Sequence, residues 1–213
     1  YALRFSTLAG LVGALFTLLL GTIAGSVSGF VGGWVDMLLM RLCDFLLSLP
    51  GLFLVLGLRA AFPVRLDASQ VFWMVVLIFV LIGWGSVTRV VRGLVLSLKE
   101  RPHVLSARLI GASDLRLLLR HILPFAWGNL VVQFTVFIPF FILGEVTISF
   151  LGVGVQEPDV SLGTMLGASS SLAVIALHPW QLLVPAGALF LLVLAYNLVS
   201  DRLRAVQPSS RWW

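Results

Sequence analysis

Residues 89–124 read RVVRGLVLSLKERPHVLSARLIGASDLRLLLRHILP, and the contrast with what flanks them decides the fold. VFWMVVLIFVLIGWGSV runs in from Val71, and FAWGNLVVQFTVFIPFFILG follows from Phe125. Both flanks are apolar and close to the roughly 20 residues a helix needs to cross a bilayer core. Between them stand Arg89, Arg92, Lys99, Arg101, Arg108, Arg116 and Arg120, against Glu100 and Asp114. Charge of that density is costly in hydrocarbon, so the segment is expected in water, held between two membrane spans.

Outward from this insert the same contrast recurs. Of the 213 residues, 60% are hydrophobic and 11% charged, too little polar surface for a soluble domain of this length. The long apolar runs lack the alternation of an outer-membrane barrel. Five spans are predicted, at about 8–30, 36–62, 71–91, 125–153 and 180–199, each near the length a bilayer demands. The expected fold is an all-α polytopic transmembrane bundle, one domain over 1–213, with a cytoplasmic loop at about 92–124. The insert and the tail, with Arg202, Arg204 and Arg211, fall on one side; Arg65, Asp67, Glu157 and Asp159 fall on the other. The basic side is cytoplasmic by the positive-inside rule, which puts Tyr1 outside and Trp213 inside. An outside start without a cleavable signal predicts a span that precedes this sequence.

Charge at span ends disfavours a nucleic-acid partner. A single cysteine, Cys43, gives neither a disulfide framework nor a multi-cysteine metal site. Trp34, Trp73, Trp127, Trp180 and the pair Trp212 and Trp213 form an interfacial aromatic belt. Gly21, Gly25, Gly29 and Gly33 recur every fourth residue, with Gly13 on the same face. Small residues so spaced let helix backbones approach closely, which predicts helix packing at Gly21, Gly25 and Gly29. Arg41 and Asp44 are three apart and can pair on one helix face, with Asp36 nearby, and Pro50 should interrupt the second span. Residues 157–176 are too polar to span and suit a short interfacial or re-entrant helix. Asp44 and Glu145 are the candidate intramembrane polar residues. Glu145, deep in an apolar run, reads equally as a functional group and as a buried structural acid.

Within the insert, Pro102 suits the first turn of a short helix and Gly111 its left-handed stop. Ser113 is placed to cap a second helix with Asp114 in its first turn. Leu115, Leu118, Leu119 and Ile122 space as one apolar face, Arg116 and Arg120 as another, and Pro124 marks entry to the fourth span. These residues alone leave two readings open, a docking surface and a basic loop that only satisfies topology.

GASDLRLLLRHILP, with the preceding HVLSAR, resembles the EAA loop of bacterial ABC importer permeases, in the dipeptide, oligopeptide and nickel branch. GGWVDMLLMRLCDFLLSLP, RVVRGLVLSL, LGEVTISFLGVGVQEP and AYNLVSDRLR resemble the same branch in the same order, so the likeness covers nearly the whole chain. It implies that the short helix is a coupling helix that fits a groove of an ATPase subunit. Carried over, that site is Pro102, His103, Val104, Leu105, Ser106, Ala107, Arg108, Leu109 and Ile110, with Gly111 as the break. The usual Glu-Ala-Ala stands here as Leu105-Ser106-Ala107, so the family's acid is lost at this position. Val160-Ser161-Leu162-Gly163 stands where the family has Pro-Ser-Trp-Gly, a second departure from its pattern.

The resemblance further implies a peptide or similar small solute, alternating access, and a bacterial inner membrane. The implied partners are a second permease subunit, two ATPase subunits and an extracytoplasmic solute-binding protein. No Gly-x4-Gly-Lys-Ser/Thr loop occurs, so ATP and magnesium are expected on the ATPase subunits, with no cofactor or metal in this chain. A stand-alone channel or secondary transporter would want several polar groups along a path. An intramembrane enzyme would want a converging nucleophile and base or metal ligands. His103 and His121 lie in the insert, His178 beside Pro179, and no His-Glu-x-x-His or Gly-x-Ser-x-Gly is present.

Overall fold

Ten helices and one π turn account for the described residues, which in this computed structural model are 2–61, 67–156 and 159–206. In order they are α1 (Ala2–Val31), α2 (Gly33–Ser48), α3 (Gly51–Ala60), α4 (Ala68–Leu98) and α5 (Pro102–Leu109). There follow α6 (Asp114–Arg116), the π turn Leu117–Ile122, α7 (Leu123–Phe150), α8 (Leu162–Ala168), α9 (Leu172–Leu177) and α10 (Trp180–Val206). Four stretches, 2–31, 69–98, 114–150 and 180–205, are long and apolar enough to cross a membrane, and α2 with α3 make a fifth if taken as one broken span. Arg65, Glu157, Ser209, Trp212 and Trp213 lie outside the described residues.

Several expected boundaries move. The second predicted span is two helices, because Leu49 before Pro50 is extended (φ −78°, ψ 129°), the conformation that a following proline enforces. The third runs to Leu98, two turns further than expected, so Arg92 belongs to α4 rather than to the loop. The fourth does not start at Pro124. Helix continues without a break from Asp114 through Phe150, and the separate amphipathic helix predicted for the insert is the start of this span. Pro124 has no N–H to return to the preceding turn. The π turn just before it, where the Leu123 N–H reaches back to the Leu118 carbonyl, widens the ladder where a proline would otherwise clash. Of the expected apolar face, Ile122 is buried, joined by Leu117, while Leu115 and Leu119 are exposed. Residues 162–177 form two short helices rather than one, α8 and α9, each N-capped by a serine, Ser161 and Ser171.

The chain divides into two compact units. One comprises residues 1–15, 51–79 and 134–213. Its aromatic centre is Phe79 stacked on Phe141 at 4.5 Å, with Phe137 at 5.2 Å from Phe141. Gly13 and Gly144 make room for it: a Cβ at either would stand 3.0 Å from the Phe79 ring. Val75, Ile78 and Ile142 are fully buried around this stack. The Thr135 hydroxyl bonds that of Ser200 at 3.2 Å, and Ser169 Oγ donates to the Gln181 carbonyl at 3.0 Å. Leu183, Val184, Phe190 and Leu191 on α10 stay exposed, as suits a helix in a lipid solvent.

The other unit comprises residues 16–50 and 80–133. Here the glycine row of α1 meets α4. A Cβ on Gly25 would lie 2.6 Å from the Thr88 carbonyl oxygen, and one on Gly29 would lie 2.9 Å from Val95 Cβ. Gly21 is equally tight against Val87. Lipid supplies no hydrophobic force between helices, so this close fit, with its dispersion contacts, is what holds them together. Gly33 departs from the row: it opens α2 at φ +57° with nothing near its missing side chain. Cys43 is fully buried, and a Cβ on Gly85 of α4 would sit 3.5 Å from it.

Candidate functional site

Pro102 occupies the first turn of α5, where its absent N–H costs no hydrogen bond, and the Arg101 carbonyl receives the Val104 and Leu105 N–H groups at 3.0 Å each. At the other end, Gly111 stands at φ +89°. Its N–H donates to the Arg108 carbonyl at 3.0 Å, and the Ala112 N–H to the Ala107 carbonyl at 3.1 Å. Those paired bonds are a Schellman stop, which satisfies two end carbonyls and needs a left-handed residue at Gly111. The helix therefore has a fixed length and a fixed end. It closes at Leu109, with Ile110 as the cap residue.

One side chain of α5 is anchored inward and the tip faces out. Val104 is 2% exposed, whereas Leu109 and Ile110 are both 88% exposed and Leu105, one turn before Leu109, is 44% exposed. His103 lies against Phe125 at 4.9 Å, and the Arg108 guanidinium sits 5.8 Å over the Phe30 ring. Arg108 also faces Asp114 at 3.7 Å, an open pair worth little in water. Ser113 holds the N-cap position of α6, but its side chain makes no capping bond, contrary to the expectation from sequence. α5 lies outside every stretch able to cross a membrane. The aliphatic tip of this helix and the exposed Arg101 and Arg108 thus share one uncovered surface among the described residues.

The polar residues of α2 find partners on α4. Asp44 pairs with Arg89, not with Arg41. Asp36 receives a two-pronged bond from Arg92, through Nε to Oδ1 and through Nη2 to Oδ2 at 2.6 Å. Ser28 Oγ donates to the same carboxylate at 2.5 Å. The planar guanidinium fork matches a carboxylate in two places at once, which fixes direction as well as distance. Nothing in the sequence could have picked Arg89 and Arg92 over Arg41, because the partners are 45 and 56 residues away.

Glu145 is fully buried on α7 and accepts from Ser149 Oγ at 2.7 Å. The same hydroxyl oxygen accepts the Val155 N–H at 3.2 Å. Ser149 thus links the Glu145 carboxyl to the turn beyond α7, where Gly152 adopts φ +74°. Gly163 completes the fit: its Cβ would stand 2.6 Å from Ser149 Cβ. Ser161 caps α8 reciprocally with Thr164, a pairing that serine three residues before a hydroxyl residue signals in the sequence. Ser149→Ala should leave the Val155 N–H buried without its acceptor and lower stability by about 1–3 kcal/mol. Thermal unfolding in detergent reads this, with exposed Ser97→Ala as the control that should shift little.

A membrane-spanning helix bundle with a capped, water-exposed helix between two spans is the class these features define. The chain belongs to the family of binding-protein-dependent transport system inner membrane components, whose model matches residues 10–209. It is 38% identical over 209 residues to the oligopeptide transport system permease protein OppC of Bacillus subtilis, covering 98% of this chain. It is 37% identical to the glutathione transport system permease protein GsiD of Pectobacterium atrosepticum over 96% of its length. The chain spans just under two thirds of each of these relatives, 66% in both cases. Among solved structures, the MetNI methionine ABC transporter in inward-facing form matches at a TM-score of 0.73 and 17% identity. That match covers 97% of this chain and 94% of the other, a likeness of fold.

Proposed function

We propose that this chain is the transmembrane subunit of an ATP-driven importer for peptides, forming half of the pathway beside a second permease subunit. Two separate ATPase subunits bind ATP and magnesium, an external solute-binding protein delivers the solute, and this chain carries no catalysis. The observation behind the reading is α5, with its Schellman end at Gly111 and its outward Leu109 and Ile110. ATP-driven closure of the ATPase pair would move this helix, and the bundles would rock between inward-facing and outward-facing states. The peptide class follows from the names of the relatives, since glutathione too is a short peptide. Reconstitution in vesicles tests the function. Labelled oligopeptide should accumulate only with ATP and magnesium, and flux without ATP would favour a channel instead.

The same proposal sets the chain in a bacterial inner membrane, with its first residue outside and its last inside. Asp67 and Ser113 are both exposed and serve as reporters. A cysteine at Asp67 should react with an impermeant reagent from outside, and one at Ser113 only from the cytoplasm. Labelling of Asp67 from the cytoplasmic side would reverse the topology.

A further inference from the structure

The corner between α1 and α2 turns on two consecutive glycines. Gly32 and Gly33 stand in succession at φ +69° and +57°, and Gly32 combines this with ψ −158°, a region essentially closed to residues with a side chain. Nothing lies within 4 Å of where either Cβ would project. These two positions are glycine for backbone conformation, not for packing.

Three cations grip the residues around that corner. Arg92 forks onto Asp36 on the far side of the glycines, and Ser28 on the near side donates to the same carboxylate. Lys99 Nζ donates to the Gly29 carbonyl at 3.2 Å, and Arg108 lies over Phe30. Arg92 belongs to the end of α4, Lys99 to the three-residue link 99–101 that separates α4 from α5, and Arg108 to α5. A displaced α5 therefore pulls on the contacts that hold the corner. Burial decides which contact dominates. The Arg92 and Asp36 side chains are 32% and 19% exposed, against 45% and 52% for Arg89 and Asp44. A two-pronged pair in a partly desolvated place holds its geometry, whereas an open pair is screened.

We infer that residues 28–36 form a hinged corner that passes movement of α5 to α2, with Asp36 and Arg92 as its positioning residues. This rests on the coupling reading of α5. The test uses the assembled transporter, with spin labels at exposed Met37 on α2 and exposed Ser113 beyond α5, in a Cys43→Ala background. The ATPase must co-purify with this complex. If it does not, the coupling reading falls and takes this inference with it. With the ATPase bound, trapping by ATP and vanadate should leave the 37–113 distance unchanged, because corner and helix move together. In Asp36→Asn and in Arg92→Gln the same trapping should change it by at least about 2 Å, the scale of helix shifts in switching transitions. The double variant should match either single one, since both break one contact. A distance that changes in the parent, stays fixed in Asp36→Asn, or shows additive effects in the double variant would overturn the inference with ATPase binding intact.

Discussion

Gly25→Leu is expected to prevent the bundle from assembling. Even the first carbon of a new side chain would stand 2.6 Å from the Thr88 carbonyl oxygen and 2.7 Å from Val91 Cβ. A backbone carbonyl cannot swing aside as a side-chain tip can, so α1 and α4 must part. Overpacking a soluble core costs about 1–3 kcal/mol. Here the cost is larger in effect, because Gly21 and Gly29 lose their close contacts in the same movement and lipid offers no hydrophobic force to restore them. Gly25→Ala should show a smaller loss of the same sign. Gly93→Ala, on α4 with open space around it, should be harmless or stabilise by about 0.5–1 kcal/mol through helix propensity. The yield of monodisperse protein in detergent and its thermal midpoint separate these cases. A Gly25→Leu protein with the parent's midpoint would show that the row carries no packing.

Gly111→Val should leave the spans folded and remove coupling. Valine at φ +89° is a β-branched residue in a conformation that its own side chain opposes, a strain of about 1–3 kcal/mol. Relief requires Gly111 to rotate, which breaks its bond to Arg108 and the bond from Ala112 to Ala107. The end of α5 then unravels where Leu109 and Ile110 project. Among the described residues none packs on the Gly111 position, so the loss is confined to this helix end. The variant should reach the membrane in normal amount while peptide-stimulated ATP hydrolysis of the complex falls by about 10- to 100-fold, the factor that such a strain corresponds to. Arg116→Gln, exposed on α6, should change stimulation little. Full stimulation in Gly111→Val would mean that the end of α5 does not matter to the ATPase.

The sequence made some of this legible and hid the rest for identifiable reasons. Helix ends at Pro102 and Gly111 could be read because proline and glycine act through their own backbones, with no need of a distant partner. The spacing of Gly21, Gly25 and Gly29 likewise exposes a face, though not the helix that meets it. Partner choice was beyond reach. Asp44 lies one turn from Arg41 on its own helix, yet takes Arg89 from α4, a pairing that depends on how two helices cross. The apolar face of residues 115–122 is only partly legible: Ile122 is buried as its spacing predicts, but a π turn breaks the regular period and brings in Leu117, and Pro124 comes after the segment it alters. Ser149 looked like any helix serine. Its role between Glu145 and the Val155 N–H exists only once the chain has turned back at Gly152.

If α5 seats in an ATPase subunit, a photo-reactive side chain at Leu109 reports it most directly. Benzoylphenylalanine replaces Leu109 in the assembled complex, with exposed Leu177 on α9 as the control position. Irradiation should join the Leu109 position to the ATPase subunit in good yield and leave the Leu177 position unjoined to it. Cross-links from Leu109 only to lipid or to its own chain, in a complex that still holds its ATPase, would contradict the account.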